Sequence, residues 1–152
     1  MCFLCTSFLM YKIYKWNYAP TINLPALILN DLNQKPINIS QFEGRPLVIN
    51  FWGTWCGPCR QEMPILEAAK NKYSGRIRFI VVSDEPIYKL IQFKEANPYS
   101  FPYFQSAVSF QKMGITSVPI TYFFDAKGKL VVKQKDNLKE NELNEILKSL
   151  SD

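Results

Sequence analysis

The chain has 152 residues, enough for one domain with a real core and too few for two. It is 47% hydrophobic and 14% aromatic, the composition of a globular chain rather than a disordered or fibrous one. Its net charge of +5 is spread among acids from Lys12 to Lys148 without a basic stripe, so no nucleic-acid partner is expected, and the lack of any histidine excludes imidazole bases and histidine-bound zinc.

The first element is an apolar run, "MCFLCTSFLMY", followed by Lys12 and Lys15. It is shorter than the roughly twenty apolar residues that span a bilayer. It also lacks the charge order and cleavage site of a signal peptide. Under the positive-inside rule Lys12 and Lys15 would even keep the following domain in the cytoplasm. Residues 1–19 are therefore expected to be either a clipped membrane anchor, whose start lies upstream, or a frayed apolar tail, and residues 20–152 the folded domain.

Next, "ALIL" (Ala26 to Leu29) and "INIS" (Ile37 to Ser40) flank the turn-forming "NDLNQKP", which predicts a small hairpin. "PLVINFW" (Pro46 to Trp52) is apolar but for one residue, the pattern of a strand buried on both faces. A helix follows from Pro58, with Met63, Leu66, Ala69 and Tyr73 at helical spacing and Gly75 closing it. "IRFIVVS" (Ile77 to Ser83) predicts a second buried strand, parallel to the first. A helix bounded by Pro86 and Pro98 carries Ile87, Leu90 and Ile91 on one face, and "VSFQKMG" predicts a short helical turn. "ITYFF" (Ile120 to Phe124), "DAKG" and "KLVVK" (Lys129 to Lys133) read as strand, turn and strand. Leu143, Ile146, Leu147 and Leu150 mark a C-terminal amphipathic helix. The sum is an α/β domain with a mixed sheet covered on both faces.

The chemistry centres on "NFWGTWCGPCRQEMP", Asn50 to Pro64. Cys56 and Cys59 fall where a buried parallel strand gives way to a helix, the place where open α/β sheets put active groups. Helical residues three apart have Cβ atoms roughly 5 to 6 Å apart, and a disulfide accepts Cα atoms about 4.4 to 6.8 Å apart. The pair can therefore open and close with little backbone motion. The positive helix end and its unpaired amides favour a thiolate at Cys56, and such sites lower a cysteine pKa from about 8.5 toward about 7 or below. Cys59, one turn in, is expected to be the resolving thiol. Pro58 suits the first helical turn, where its missing N–H costs nothing. Two other uses of the cysteines are weighed against this. A zinc site formed with the second CxxC, Cys2 and Cys5, would need an unusually long spacing, and a structural disulfide between such near neighbours closes too small a loop to stabilise much.

"NFWGTWCGPCRQEMP", "SVPIT" and "FFDAKGKLV" together resemble the thioredoxin superfamily, and more narrowly its TlpA/ResA-type extracytoplasmic thiol-disulfide oxidoreductases. The likeness runs from about Pro20 to Leu150 and includes the N-terminal hairpin that plain thioredoxins lack. It implies a thioredoxin-like fold, with a central mixed sheet flanked by helices on both faces and an added N-terminal β-hairpin. It further implies that Pro119 is a cis-proline set against the CxxC, with the backbone of Val118 pairing with an extended client segment. Trp55 would flank the site, Gly57 and Pro58 would shape it, and Glu62 would exchange protons with the thiols. On the residues alone, Pro119 reads as a strand-edge proline, Trp55 as an ordinary aromatic, and Glu62 as an acid favoured by the helix N-terminus.

One residue departs from cytoplasmic thioredoxins, which carry a buried aspartate beneath the second cysteine: here it is Asn50, which cannot accept that proton. Glu62 or water becomes the better route.

The expected function is reduction of disulfides in client proteins through a mixed disulfide, with apocytochromes c and copper-site assembly proteins as clients the resemblance implies. The expected partners are a disulfide-containing client and an upstream thiol donor, such as a membrane thiol transporter, with association of the N-terminus with a membrane as a further expectation. No cofactor and no metal are expected. The resemblance, Asn50 and the apolar N-terminus point to the periplasmic side of a bacterial inner membrane, the cytoplasm being the alternative. A peroxiredoxin-type peroxidase would need a threonine three residues before its reactive cysteine, where this chain has Gly53, with Thr54 one place late. A copper metallochaperone would use a CxxxC and a histidine. A non-enzymatic adaptor would not need both thiols and should keep its function in Cys59→Ser.

Overall fold

The structure, a computed structural model, describes residues 19–152. Except for Ala19, the apolar segment of residues 1–19, with Cys2 and Cys5, lies outside the described residues.

Seven strands form one sheet: β1 (Leu29–Asn30), β2 (Pro36–Ile37), β3 (Leu47–Phe51), β4 (Arg78–Ser83), β5 (Tyr103–Ser106), β6 (Ile120–Phe124) and β7 (Leu130–Lys135). Their order is β2-β1-β5-β4-β3-β6-β7. β3 pairs in parallel with β4, and β4 with β5, while β6, β7, β1 and β2 join antiparallel. The sheet is mixed, as its apolar runs predict. β3 and β6 lie inside it, and every residue of both is buried, which is why each stretch is apolar but for one residue, Asn50 and Thr121, rather than alternating.

Among the described residues three α-helices connect or follow the strands: α1 (Gly57–Lys72), α2 (Ile87–Ala96) and α3 (Glu140–Ser151). Met63, Leu66 and Ala69 of α1, Leu90 and Phe93 of α2, and Leu143 and Leu147 of α3 join Val48, Phe79, Val81 and Phe123 in one core. The alternate strand residues Leu47, Ile49, Phe51, Ile80, Val82, Tyr122 and Phe124 face a second core. Two short 3-10 helices, Leu24–Ala26 and Ile39–Phe42, and the turns through Phe110 and Ile115 complete it. Helical segments thus cover both faces. Gly75 follows the end of α1 at φ 79, a left-handed conformation that needs no Cβ to be relieved there.

Two expectations are corrected, and one strand is new. The hairpin is smaller than Ala26–Leu29 against Ile37–Ser40: its strands are two residues each, and Asn38 accepts a hydrogen bond from the Ser40 N–H, turning the chain into a 3-10 helix instead of a longer strand. β5 was not foreseen, because Tyr103–Ser106 is short and acquires its partners from β4 and β1 rather than from a neighbouring turn. On α2 the buried pair is Leu90 and Phe93, with Ile87 and Ile91 half-buried at its edge.

Leu147 is fully buried between α3 and the sheet. Leu147→Ala is expected to cost about 2 to 5 kcal/mol in unfolding free energy, through lost transfer energy and a cavity, while leaving the CxxC thiol chemistry intact. Urea unfolding beside a thiol-reactivity assay checks both halves.

Candidate active site

β3 delivers the chain to the site. Trp52 extends its pairing by donating its N–H to Val82 O at 3.0 Å, and the next four residues turn sharply, with the Cys56 N–H donating to Gly53 O at 3.0 Å. Gly53 permits this turn: a Cβ there would come within 2.6 Å of the Trp55 indole, which folds back over it. Trp55 itself is 71% exposed beside the cysteines, whereas Trp52 is buried against Phe93 and Tyr103.

Cys56 is the N-cap of α1, and Pro58 sits in the first turn as its fixed φ favours. Cys56 and Cys59 form a disulfide with Cα atoms 5.3 Å apart. The Sγ of Cys56 accepts the Cys59 N–H at 3.2 Å, so an amide of the helix end already points at the sulfur where negative charge would form. The same sulfur lies 3.7 Å from the Val118 carbonyl oxygen. The Val118–Pro119 peptide is cis, and Pro119 is buried beside β6 while Val118 is half-buried. The structure therefore brings Val118 and Pro119 to the cysteines across a separation of 62 residues.

Glu62 is not a solvated acid at the helix end. It is 1% exposed, one turn beyond Cys59 and on the same face. Its Oε1 accepts from the Asn50 amide at 2.7 Å, and its Oε2 accepts from the Leu138 N–H at 3.0 Å. Burial pushes its carboxyl up from 4.5 to about 7, against the pull of the Leu138 N–H and then the Asn50 amide. Asn50, on β3, also donates to Thr121 Oγ1 at 2.9 Å, and its own Oδ1 is buried without a partner among the described residues. Asn50 thus holds the carboxylate in place rather than taking a proton itself. Leu138 ties this network to the cis-proline, since two residues before it the Asp136 N–H donates to Pro119 O at 3.1 Å.

One functional candidate escaped the sequence. Glu85, just past β4 and 7% exposed, holds Thr54 through both carboxylate oxygens: the Thr54 N–H donates to Oε2 at 2.6 Å and the Thr54 hydroxyl donates to Oε1 at 2.7 Å. In "SDEP" it looks like one more polar turn residue, and nothing local signals a contact 31 residues back.

Among the described residues no group of three or more Cys, Asp or Glu side chains could hold a metal ion, and no helix is long and apolar enough to cross a membrane.

A redox disulfide at the start of a helix, after a buried strand and facing a cis-proline, defines a thioredoxin-like thiol-disulfide oxidoreductase. Residues 17–133 match the AhpC/TSA family, and the chain belongs to that family. It is similar to the thiol-disulfide oxidoreductase ResA of Bacillus thuringiensis subsp. konkukian, 28% identical over 131 residues that cover 84% of this chain and 76% of ResA. It is also similar to the thioredoxin-like protein YneN of Bacillus subtilis, 32% identical over 114 residues, 68% of this chain and 64% of YneN. Among solved structures, a putative thiol:disulfide interchange protein DsbE from Chlorobium tepidum superposes with a TM-score of 0.73, at 21% identity over 87% of this chain and 98% of that one. The TlpA/ResA-type resemblance read from the CGPC stretch is thereby shown. The activity class, thiol-disulfide oxidoreductase, is shown with it.

Proposed function

We propose that the protein is a disulfide reductase for client proteins, with Cys56 as nucleophile and Cys59 as resolving thiol. The observation that carries this is the placement of the Cys56 sulfur, 3.2 Å from the Cys59 N–H and 3.7 Å from Val118 O. In the reduced protein the Cys56 thiolate attacks one sulfur of a client disulfide, and the other client sulfur leaves as a thiol. Cys59 then attacks Cys56 Sγ, the second client thiol departs, and the Cys56–Cys59 disulfide forms. Two electrons and two protons have passed to the client, and an upstream dithiol donor returns them.

The direction rests on balance at Cys56. One N–H favours the thiolate, one carbonyl disfavours it, and among the described residues no ion pair or hydrogen bond brings a lysine or arginine to that sulfur. A thiolate stabilised only this far leaves the disulfide form competitive, as in reducing rather than strongly oxidising members. Gly57 and Pro58 between the cysteines resemble reducing members as well.

Glu62 exchanges the Cys59 proton in this scheme, supported by its position one turn along the same helical face and by a carboxyl poised near neutrality. Trp55 and the Val118 backbone receive an extended client segment beside Pro119. The clients in this reading are apocytochromes c or metal-site assembly proteins on the outer side of a bacterial inner membrane, which rests on the TlpA/ResA-type resemblance of residues 50–64.

The deciding experiment equilibrates the Cys56–Cys59 pair in dithiothreitol and glutathione buffers and reads it by alkylation. A potential near about −270 mV, thioredoxin's value, is expected; one near about −120 mV, where strong oxidants lie, would reverse the direction of the reaction.

A further inference from the structure

We propose that Glu85 and Thr54 form a clamp that positions the nucleophile, a role distinct from the groups that touch the reacting sulfurs. The Gly53–Cys56 turn places Thr54 at its first central position, with Trp55 next and Cys56 at its end. Both donors of Thr54, the amide and the hydroxyl, end on the one carboxylate at 2.6 and 2.7 Å. Short bonds to an ionised acceptor are the strong kind.

The carboxylate is itself fixed. Ser83 Oγ donates to Oε2 at 3.2 Å and accepts the Glu85 N–H at 3.2 Å, while the Gln105 amide holds the Glu85 carbonyl at 3.0 Å. Lys89, exposed on α2, stands 3.8 Å from Oε1. The clamp thus ties the turn that ends in Cys56 to β4 and β5 in the rigid middle of the sheet. Without it, no other hydrogen bond among the described residues holds Thr54 from that side, and the Cys56 sulfur would lose its alignment with the Cys59 N–H. The consequence is chemical as well as mechanical: a less aligned amide stabilises the thiolate less. The same commitment leaves the Thr54 hydroxyl engaged with Glu85 rather than free beside the sulfurs.

The inference rests on Cys56 being the reactive thiol, and its test reads that separately. In the reduced full-length chain, iodoacetamide modification of Cys56 is followed against pH by mass spectrometry of the peptide that carries it. Thr54→Val keeps the shape of the side chain but removes the hydroxyl, and Glu85→Asp keeps the charge but withdraws the carboxylate from its two donors. Neither changes the charged groups around the site: Glu62 on α1, the acid at position 85, and Lys89 on α2. Both variants are therefore expected to move the profile to higher pH, with alkylation at pH 7 falling about fivefold in Glu85→Asp, which loses both bonds, and between about two- and fivefold in Thr54→Val, which keeps the amide bond; the double variant is expected to fall no further than Glu85→Asp. Thr54→Ser, which retains the hydroxyl, is expected to stay within twofold of wild type. Profiles of Thr54→Val and Glu85→Asp that coincide with wild type, whatever their melting temperatures, would reduce the pair to a loop staple and overturn the proposal. So would a Thr54→Ser profile as displaced as that of Thr54→Val. A wild-type Cys56 with the profile of an unactivated thiol would instead overturn the assignment of the nucleophile.

Discussion

Cys59→Ser is expected to turn the protein from a catalyst that releases its clients into one that retains them. With the resolving thiol gone, the mixed disulfide between Cys56 and the client waits for an outside thiol. Well-oriented intramolecular groups act at effective molarities of about 10⁵ M or more, against millimolar thiol in solution, so release should slow by at least about 10³-fold. Non-reducing gels of the variant incubated with a disulfide-bearing substrate should show a stable adduct that dithiothreitol dissolves, absent in Cys56→Ser and in the double variant. An adduct on Cys56→Ser instead would exchange the two roles. The same adduct, isolated from cells, would name the client.

Glu62→Gln is the second large effect, and it is read on the oxidised protein, where the two thiols of the site do not titrate. Burial lifts the Glu62 carboxyl from 4.5 to about 7, so between those pH values the folded protein holds a proton that the unfolded chain has released. Stability from this group is therefore fully present below pH 4.5 and is lost as the pH rises to 7. The loss amounts to about 3 kcal/mol across that window. A glutamine carries no charge to desolvate. The variant should lose this slope in urea unfolding, and client reduction should lose the inflection near pH 7 that Glu62 contributes while keeping that of the Cys56 thiolate. If wild type and variant show the same slope from pH 4.5 to 7, Glu62 is not the group that titrates there.

Where the sequence could be read, the signal was local and repetitive. β3 announced itself by an apolar run broken only at Asn50, α3 by leucines at helical spacing, and the CxxC by its place at a strand-to-helix junction. What stayed hidden depended on distant partners. β5 is four residues whose only structural argument is the two strands beside it. Glu85 meets Thr54 across 31 residues, and Glu62 meets Asn50 and Leu138 across 12 and 76. For Glu62 a signal was present and could have been used: position 62 shares the buried face of α1 with Leu66 and Ala69, so the spacing that marked those two residues as core marked the acid as well. For Asn50 the same spacing arithmetic on β3 puts it on the side of Val48 and Trp52, under α1. The resemblance supplied the cis-proline position, which no periodicity could.

The margins of the sheet bear on how the molecule behaves among its own copies. At one border stands β2, two residues long and begun by Pro36, which has no N–H to offer a newcomer. At the other, β7 runs out of step with β6 at Phe123 and Phe124, and lysines 133 and 135 punctuate it. Short, proline-blocked or lysine-marked borders are poor templates for a further strand. Among the described residues, both rims of the sheet thus discourage an extended polypeptide from adding as a further strand.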